Sequence, residues 1–307
     1  MYSCYLALVL LSALSLPGVF AATNDTHTVP IRTHSLYAPY VDQDLQNRWF
    51  DFGADAIVNT NKHIRLTQDR PHQMGWLWSR LPLSSDNFEL EIAFSVDGQH
   101  AHLFGDGMAF WLTSTRAQPG PVFGSIDKFE GLGIMIDTFP NAKHPYSFPR
   151  IVGMLGDGKT AYDSINDGAS NEAGACSAAV RGAEVTTKMR ITYVKNDYLK
   201  VALHYKTWDE WTPCFTIPNV ALPPRPYLGF SALTGDVSDA HDIVSIQANS
   251  FVVQTPYNAS RRHATSKQKA KKGWGSLLFK MTLFCLACLG AFIGYRMYKE
   301  KVASKRF

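Results

Sequence analysis

Phe88-Glu-Leu-Glu-Ile-Ala-Phe-Ser-Val96 alternates apolar with small or polar residues at a period of two. Successive side chains on an extended chain point to opposite faces, so this stretch reads as a strand with one buried face. Lys188-Met-Arg-Ile-Thr-Tyr-Val194 repeats the pattern, and Tyr198-Leu-Lys-Val-Ala-Leu-His-Tyr205 follows it across the turn signal Lys195-Asn-Asp197. Residues 107–113, 131–136, 151–155 and 227–233 are continuous apolar runs bounded by glycine, as buried strands are. No internal stretch of a dozen residues keeps a helical period. The expected architecture is all-β, two antiparallel sheets packed as a sandwich.

The two ends read differently. Residues 1–21 form an apolar run with a Pro-Gly break and a small-residue end at Ala21, which reads as a signal peptide without a charged leader. Residues 277–295 are apolar apart from Lys280, long enough for a bilayer, with Trp274 and Tyr295 at the two interfaces. A transmembrane helix is expected over 274–295, a basic flexible stalk over 255–273 and a cytosolic tail over 296–307. Basic residues flank the span on both sides, so orientation rests on the signal peptide, which puts the body in the secretory lumen. Sequons at Asn24 and Asn258 lie on that lumenal side.

Charge divides in the same place. Residues 1–254 carry 18 Lys+Arg against 25 Asp+Glu, and residues 255–307 carry 12 against one. An acidic body with a basic membrane-proximal tail excludes a DNA-binding globule, and the compartment excludes nucleic acid as a partner. Of the 5 cysteines, Cys4 leaves with the signal peptide, while Cys285 and Cys288 lie in the span. Cys176 and Cys214 remain, and an oxidising lumen should join them.

Three segments carry the chemistry. Gly105-Asp106-Gly107 sets a carboxylate between glycines at the start of a buried run. Asp137-Thr-Phe-Pro-Asn141 follows another such run, and Tyr162-Asp-Ser-Ile-Asn-Asp167-Gly168 is an acidic loop. Carboxylate, amide and carbonyl oxygens suit a hard cation such as Ca²⁺. Ordinary Asp/Gly turns would give the same pattern, and spacing alone leaves both readings open.

G-D-G-M-A-F-W at 105–111, P-G-P-V-F-G at 119–124 and G-L-G-I-M-I-D-T-F-P-N at 131–141 occur in one order. They are followed by Y-D…D-G at 162–168, the Cys176/Cys214 pair and T-G-D-V-S-D-x-H-D at 234–242. Over about residues 33–254 this string resembles the leguminous-type (L-type) lectin cargo receptors of the early secretory pathway, and in layout their short-stalked vesicular integral membrane members. The resemblance implies a jelly-roll lectin domain over 30–254. It implies Ca²⁺ held by Asp137, the Phe139 carbonyl, Asn141 and Asp167. Asp106 and Asn141, with backbone groups of Gly235, Asp236 and Val237, would hold a mannose-type ligand, and the peptide before Asp106 would be cis. High-mannose glycoprotein cargo would be the lumenal partner and vesicle coat proteins the cytosolic one, in the endoplasmic reticulum, intermediate compartment or Golgi.

Two positions depart from the family pattern. Ser164 stands where the acidic loop of the family usually has a histidine, and His72 where a serine usually contributes, which reads as an exchange of the two across the site. The alternative is a membrane-tethered adhesion module with a degenerate sugar site. A glycoside hydrolase would need an acid pair; Glu89 and Glu91 share a strand face, but Glu91 is expected to face solvent. The expected function is non-enzymatic. In the tail, Phe307 resembles a forward-export signal, whereas Lys305 supplies half of a retrieval signal.

Overall fold

The computed structural model describes residues 28–253 and 274–303. The expected signal peptide, the sequons at Asn24 and Asn258, the stalk at 255–273, and Lys305 and Phe307 lie outside the described residues. The described part of 28–253 contains fifteen strands: β1 (Thr28–Pro30), β2 (Phe50–Ala54), β3 (Ile57–Asn59), β4 (His63–Thr67), β5 (Met74–Ser79), β6 (Asn87–Asp97), β7 (Gly107–Thr113) and β8 (Glu130–Asp137). They continue as β9 (Arg150–Asp157), β10 (Gly174–Ser177), β11 (Thr187–Val194), β12 (Tyr198–His204), β13 (Thr212–Pro218), β14 (Tyr227–Leu233) and β15 (Ala240–Phe251).

Every ladder is antiparallel. One sheet runs β13-β12-β11-β6-β15-β4-β3, with β1 also on β15, and the other runs β10-β9-β8-β7-β14-β5-β2. The alternating stretch that opened the sequence lies in β6, in the middle of the first sheet, where Leu90, Ile92 and Phe94 are fully buried. Its neighbour β15 is central too, paired to β6 along ten positions. Between the sheets, Phe94 meets Phe110 edge-on with ring centroids 5.3 Å apart, and Phe110 meets Phe230 at 5.1 Å. Burying each such side chain is worth about 1.5–3 kcal/mol, which is what holds the two layers together.

The seven-stranded sheet is covered on its other face as well, which explains its continuous apolar runs. Met108, Phe110 and Leu112 of β7 belong to the inter-sheet core, while Ala109 and Trp111 belong to a second cluster with Val122, Phe123, Phe129, Met135 and Tyr162. The P-G-P-V-F-G loop supplies that cover. A Cβ at Gly133 would lie 2.8 Å from the Trp111 ring, so glycine there is a condition of the indole's seat. The indole N–H donates to Ser231 Oγ at 2.8 Å.

Cys176 on β10 and Cys214 on β13 are disulfide-bonded with Cα atoms 5.2 Å apart. The bond joins the edge strand of one sheet to the edge strand of the other. The C-terminal region is a separate unit containing one helix, α1 (Trp274–Ala303). It extends past Tyr295, where sequence alone had ended it. Residues Phe279–Lys299 have mean hydropathy 1.4 and are long and apolar enough to cross a membrane.

Candidate functional site

The ends of three adjacent strands, β8, β7 and β14, gather the loops that carry the chemistry. Gly107 opens β7 opposite Asp137, which closes β8, so Asp106 and Asp137 are brought to one end of the sheet by the ladder itself. The Asp106 carbonyl accepts from Thr138 N–H and Thr138 Oγ1, both at 3.0 Å, and its own N–H reaches Leu233 O at 3.3 Å. The Gly105–Asp106 peptide is cis. A Cβ at Gly105 would stand 2.8 Å from Phe139 Cβ and 3.2 Å from Val237, so the glycine permits three loops to close on one another.

Asp106 is half-buried and faces the 234–237 loop. A Cβ on Gly235 would lie 3.1 Å from Asp106 Oδ2, so a side chain there would crowd the carboxylate. Burial and the nearby Asp236 raise the Asp106 carboxyl above its ordinary range, against the Gly235 N–H that favours its charged form. The 70–73 loop is laced to the same segment: His72 N–H donates to Gly235 O at 3.0 Å, and Gln73 N–H to Thr234 Oγ1 at 2.9 Å.

Behind Asp106 lies a pair of buried carboxylates. Asp137 is pushed up to about 8, first by burial and then by Asp167. Its Oδ1 accepts only weakly, from Phe139 N–H at 3.1 Å. Asp167, buried and in the left-handed region, accepts from Asn141 N–H, from Asn141 Nδ2 at 2.7 Å and from Ala142 N–H. His144 Nε2 lies 2.8 Å from the same carboxylate. Tyr162 Oη is buried without a hydrogen-bond partner in this surrounding.

These residues suit a hard cation. Two carboxylates without an opposing Lys or Arg are expensive to bury, and an orphaned hydroxyl adds an unmet polar group. The Asn141 amide and the Phe139 carbonyl are the kinds of oxygen donor that such a cation takes beside carboxylates. Among the described residues, no three His, Cys, Asp or Glu side chains cluster as a metal cage, and this set, with only two carboxylates, needs none.

A cleft of about 470 Å³ is lined by Asp106, Asp137, Asn141, Tyr162, Ser164 and apolar neighbours that include Phe123 and Leu233. Ser164 therefore stands in the cleft. His72 does not line it; it lies on the exposed rim, Nε2 3.6 Å from Asp236 Oδ1. Gly235 and Asp236 neighbour Asp106, and Val237 packs against Gly105. Sequence reading missed His144 and Tyr162: no spacing rule links His144 to a carboxylate 23 residues on. The Y-D pair was visible, but the burial of its hydroxyl was not.

Glu91 differs from expectation. It is partly buried and bonded to Lys188 Nζ at 2.9 Å and Arg190 Nη2 at 3.0 Å. Burial pushes its carboxyl up, but these two cations together hold it below its usual range, the opposite of a glycosidase acid.

A family model described as the legume-like lectin family matches residues 27–256. An L-type lectin-like domain-containing protein of Schizosaccharomyces pombe is 42% identical over 69% of this chain and 68% of its own length. The VIP36-like protein of Mus musculus is 41% identical over 73% of this chain and 66% of its own. The chain thus spans about two thirds of the length of these relatives. Among solved structures, the VIP36 exoplasmic/lumenal domain in its Ca²⁺/Man3GlcNAc-bound form superposes with a TM-score of 0.69 at 36% identity, over 76% of this chain and 95% of that one.

Proposed function

The chain belongs to the legume-like lectin family, and from that premise we propose that it is a calcium-dependent lectin for high-mannose N-glycans on secretory glycoproteins. It sorts that cargo between endoplasmic reticulum and Golgi. The supporting observation is a cleft lined by Asp106, Asp137 and Asn141, with Gly235 against the Asp106 carboxylate and the buried Asp167 bonded to Asn141. VIP36, 35–36% identical, has been solved with calcium and mannose ligands at once.

Asp137, Asp167, the Asn141 amide oxygen and the Phe139 carbonyl hold the ion. When bound, Ca²⁺ supplies fixed positive charge that relieves the two carboxylates and sets the loop that carries Asn141. Everything else is hydrogen bonding by the chain. The Asp106 carboxylate accepts from sugar hydroxyls, the Asn141 amide donates, and backbone groups of Gly235, Asp236 and Val237 complete the contact. Ser164 and His72 supply one hydroxyl and one imidazole from opposite sides. The site does no covalent chemistry: its carboxylates bind.

In the cell the chain is a single-pass type I membrane protein anchored by α1, with the lectin domain lumenal and glycans at Asn24 and Asn258. Phe307 addresses the forward coat, Lys305 gives a partial retrieval signal, and the protein cycles beyond the endoplasmic reticulum. A glycan array with and without EDTA tests the lectin reading. Retention of high-mannose glycans only with Ca²⁺ is expected; no binding in either condition favours the adhesion module, and release of free sugar would mean hydrolysis.

A further inference from the structure

Arg181 lies between β10 and β11, outside the loops that line the cleft, and its side chain is mostly buried. It forks onto Asp239, Nε at 2.9 Å from Oδ2 and Nη2 at 2.8 Å from Oδ1, and Asp239 is fully buried. The same Nη2 donates to His100 O at 2.8 Å, and the guanidinium lies 3.8 Å above the Phe104 ring. Asp239 ends the loop that begins at Thr234, and Phe104 is two residues before Asp106. A second carboxylate extends the hub: Asp69 accepts from Ser238 Oγ at 2.7 Å and from Gln99 N–H at 2.8 Å. Segments 98–106 and 234–239 therefore meet on one cation, and Asp69 ties 69–72 to both of them. None of the hydrogen bonds of Asp137, Asn141 or Asp167 involves Arg181.

We propose that Arg181 is a positioning residue for sugar binding, a clamp that fixes the Asp106 loop against the 234–237 loop without contributing to the calcium site. The proposal rests on the lectin reading. A buried guanidinium suits the task because its planar fork bonds a carboxylate in two places and still spares a donor for a carbonyl. Lysine keeps the charge but cannot span Asp239 and the His100 carbonyl in that geometry.

The test uses the full chain in detergent, with Arg181→Gln and Arg181→Lys beside the wild type. Three quantities are read: affinity for a dimannoside, the rise in Tm on adding Ca²⁺, and amide hydrogen exchange. Arg181→Gln should weaken dimannoside binding about tenfold or more, leave the calcium-induced rise in Tm unchanged, and speed exchange within 98–106 and 234–239. Arg181→Lys should fall between it and the wild type, and decides the matter if the glutamine variant does not fold. Equal loss of sugar and calcium responses would overturn the clamp, as would unchanged sugar affinity. If the wild type itself takes up no dimannoside, the lectin reading fails; exchange then decides alone, and unaltered exchange at the two loops overturns the clamp.

Discussion

On the eight-stranded sheet Glu89 and Glu91 face Lys188, Arg190 and Thr192 across the β6–β11 ladder, whereas at the loop end of the seven-stranded sheet Asp106, Asp137 and Asp167 lie within one another's field. Both regions are acidic and both sit on well-formed strands. In the first, each glutamate has its cation or hydroxyl opposite it in register, and Glu91 is held below its usual range. In the second, burial and like charge raise the carboxyls of Asp106 and Asp137, and neither a lysine nor an arginine answers them. A carboxylate already neutralised by lysine and arginine, as Glu91 is, has little charge left to offer a ligand. One that the fold leaves uncompensated stores a demand that a ligand can meet.

The contrast is broken most directly by removing one carboxylate from each region. Asp106→Ala should weaken high-mannose glycan binding by about 100-fold or more, since hydrogen bonds to a charged acceptor contribute about 1.5–3 kcal/mol each. The fold should survive, because Asp106 lies before β7 rather than in its core; titration calorimetry and circular dichroism read the two. Asp137→Asn should abolish stabilisation by calcium. For the wild type, an ion at about 100 times its Kd adds about 2.7 kcal/mol, or roughly 5–10 °C in Tm for a domain of this size. A wild-type Tm indifferent to millimolar Ca²⁺ would remove the calcium assignment.

Acid separates the regions by sign. In EDTA, the native Asp137 carboxyl is raised to about 8 from an unfolded value near about 3.9. Its contribution to stability is therefore complete below about pH 4 and lost as pH climbs toward about 8. Relative to Asp137→Asn, the wild type should lose stability across that window at up to about 1.4 kcal/mol per pH unit. Calcium affinity should rise over the same window as protons cease to compete. Glu91, held low, does the reverse: its contribution is present at neutral pH and lost as pH falls below the unfolded value. The smallest effect is expected there. Glu91→Gln should cost less than about 1 kcal/mol, because both partners are partly exposed and screened, and should leave glycan affinity unaltered. A large loss of binding in that variant would erase the distinction between the two faces.

Much of the fold was legible, for a physical reason. The stretch 88–96 and its partners 188–194 and 198–205 have one wet and one dry face, so their alternation survives in sequence; they became β6, β11 and β12 with boundaries moved by a residue. The second sheet was legible as continuous runs because the 119–129 loop dries its outer face. What could not be read depends on distant chain. β15 was missed because its alternation slips where Ile243 and Ser245 pair out of step with β6. β2, β3 and β4 are five, three and five residues long, too short for their alternation to stand out. At the site, residue types and order were visible, yet His144 beside Asp167 and the Arg181–Asp239 fork are contacts across 23 and 58 residues. No local pattern encodes them.

The position of β15 has a mechanical consequence. It starts one residue after Asp239, at the end of the loop that faces Asp106, and ends at Phe251, just before the chain leaves for its C-terminal unit. It is an interior strand, bonded along one side to β6 and along the other to β4 and β1. A pull on the C-terminal end of this domain therefore loads two ladders in shear, many hydrogen bonds resisting together. An edge strand would instead peel open one bond at a time. A weight hung from the 234–239 loop and a tether at the other end would tug along a single strand, with the sandwich gripping it on both sides.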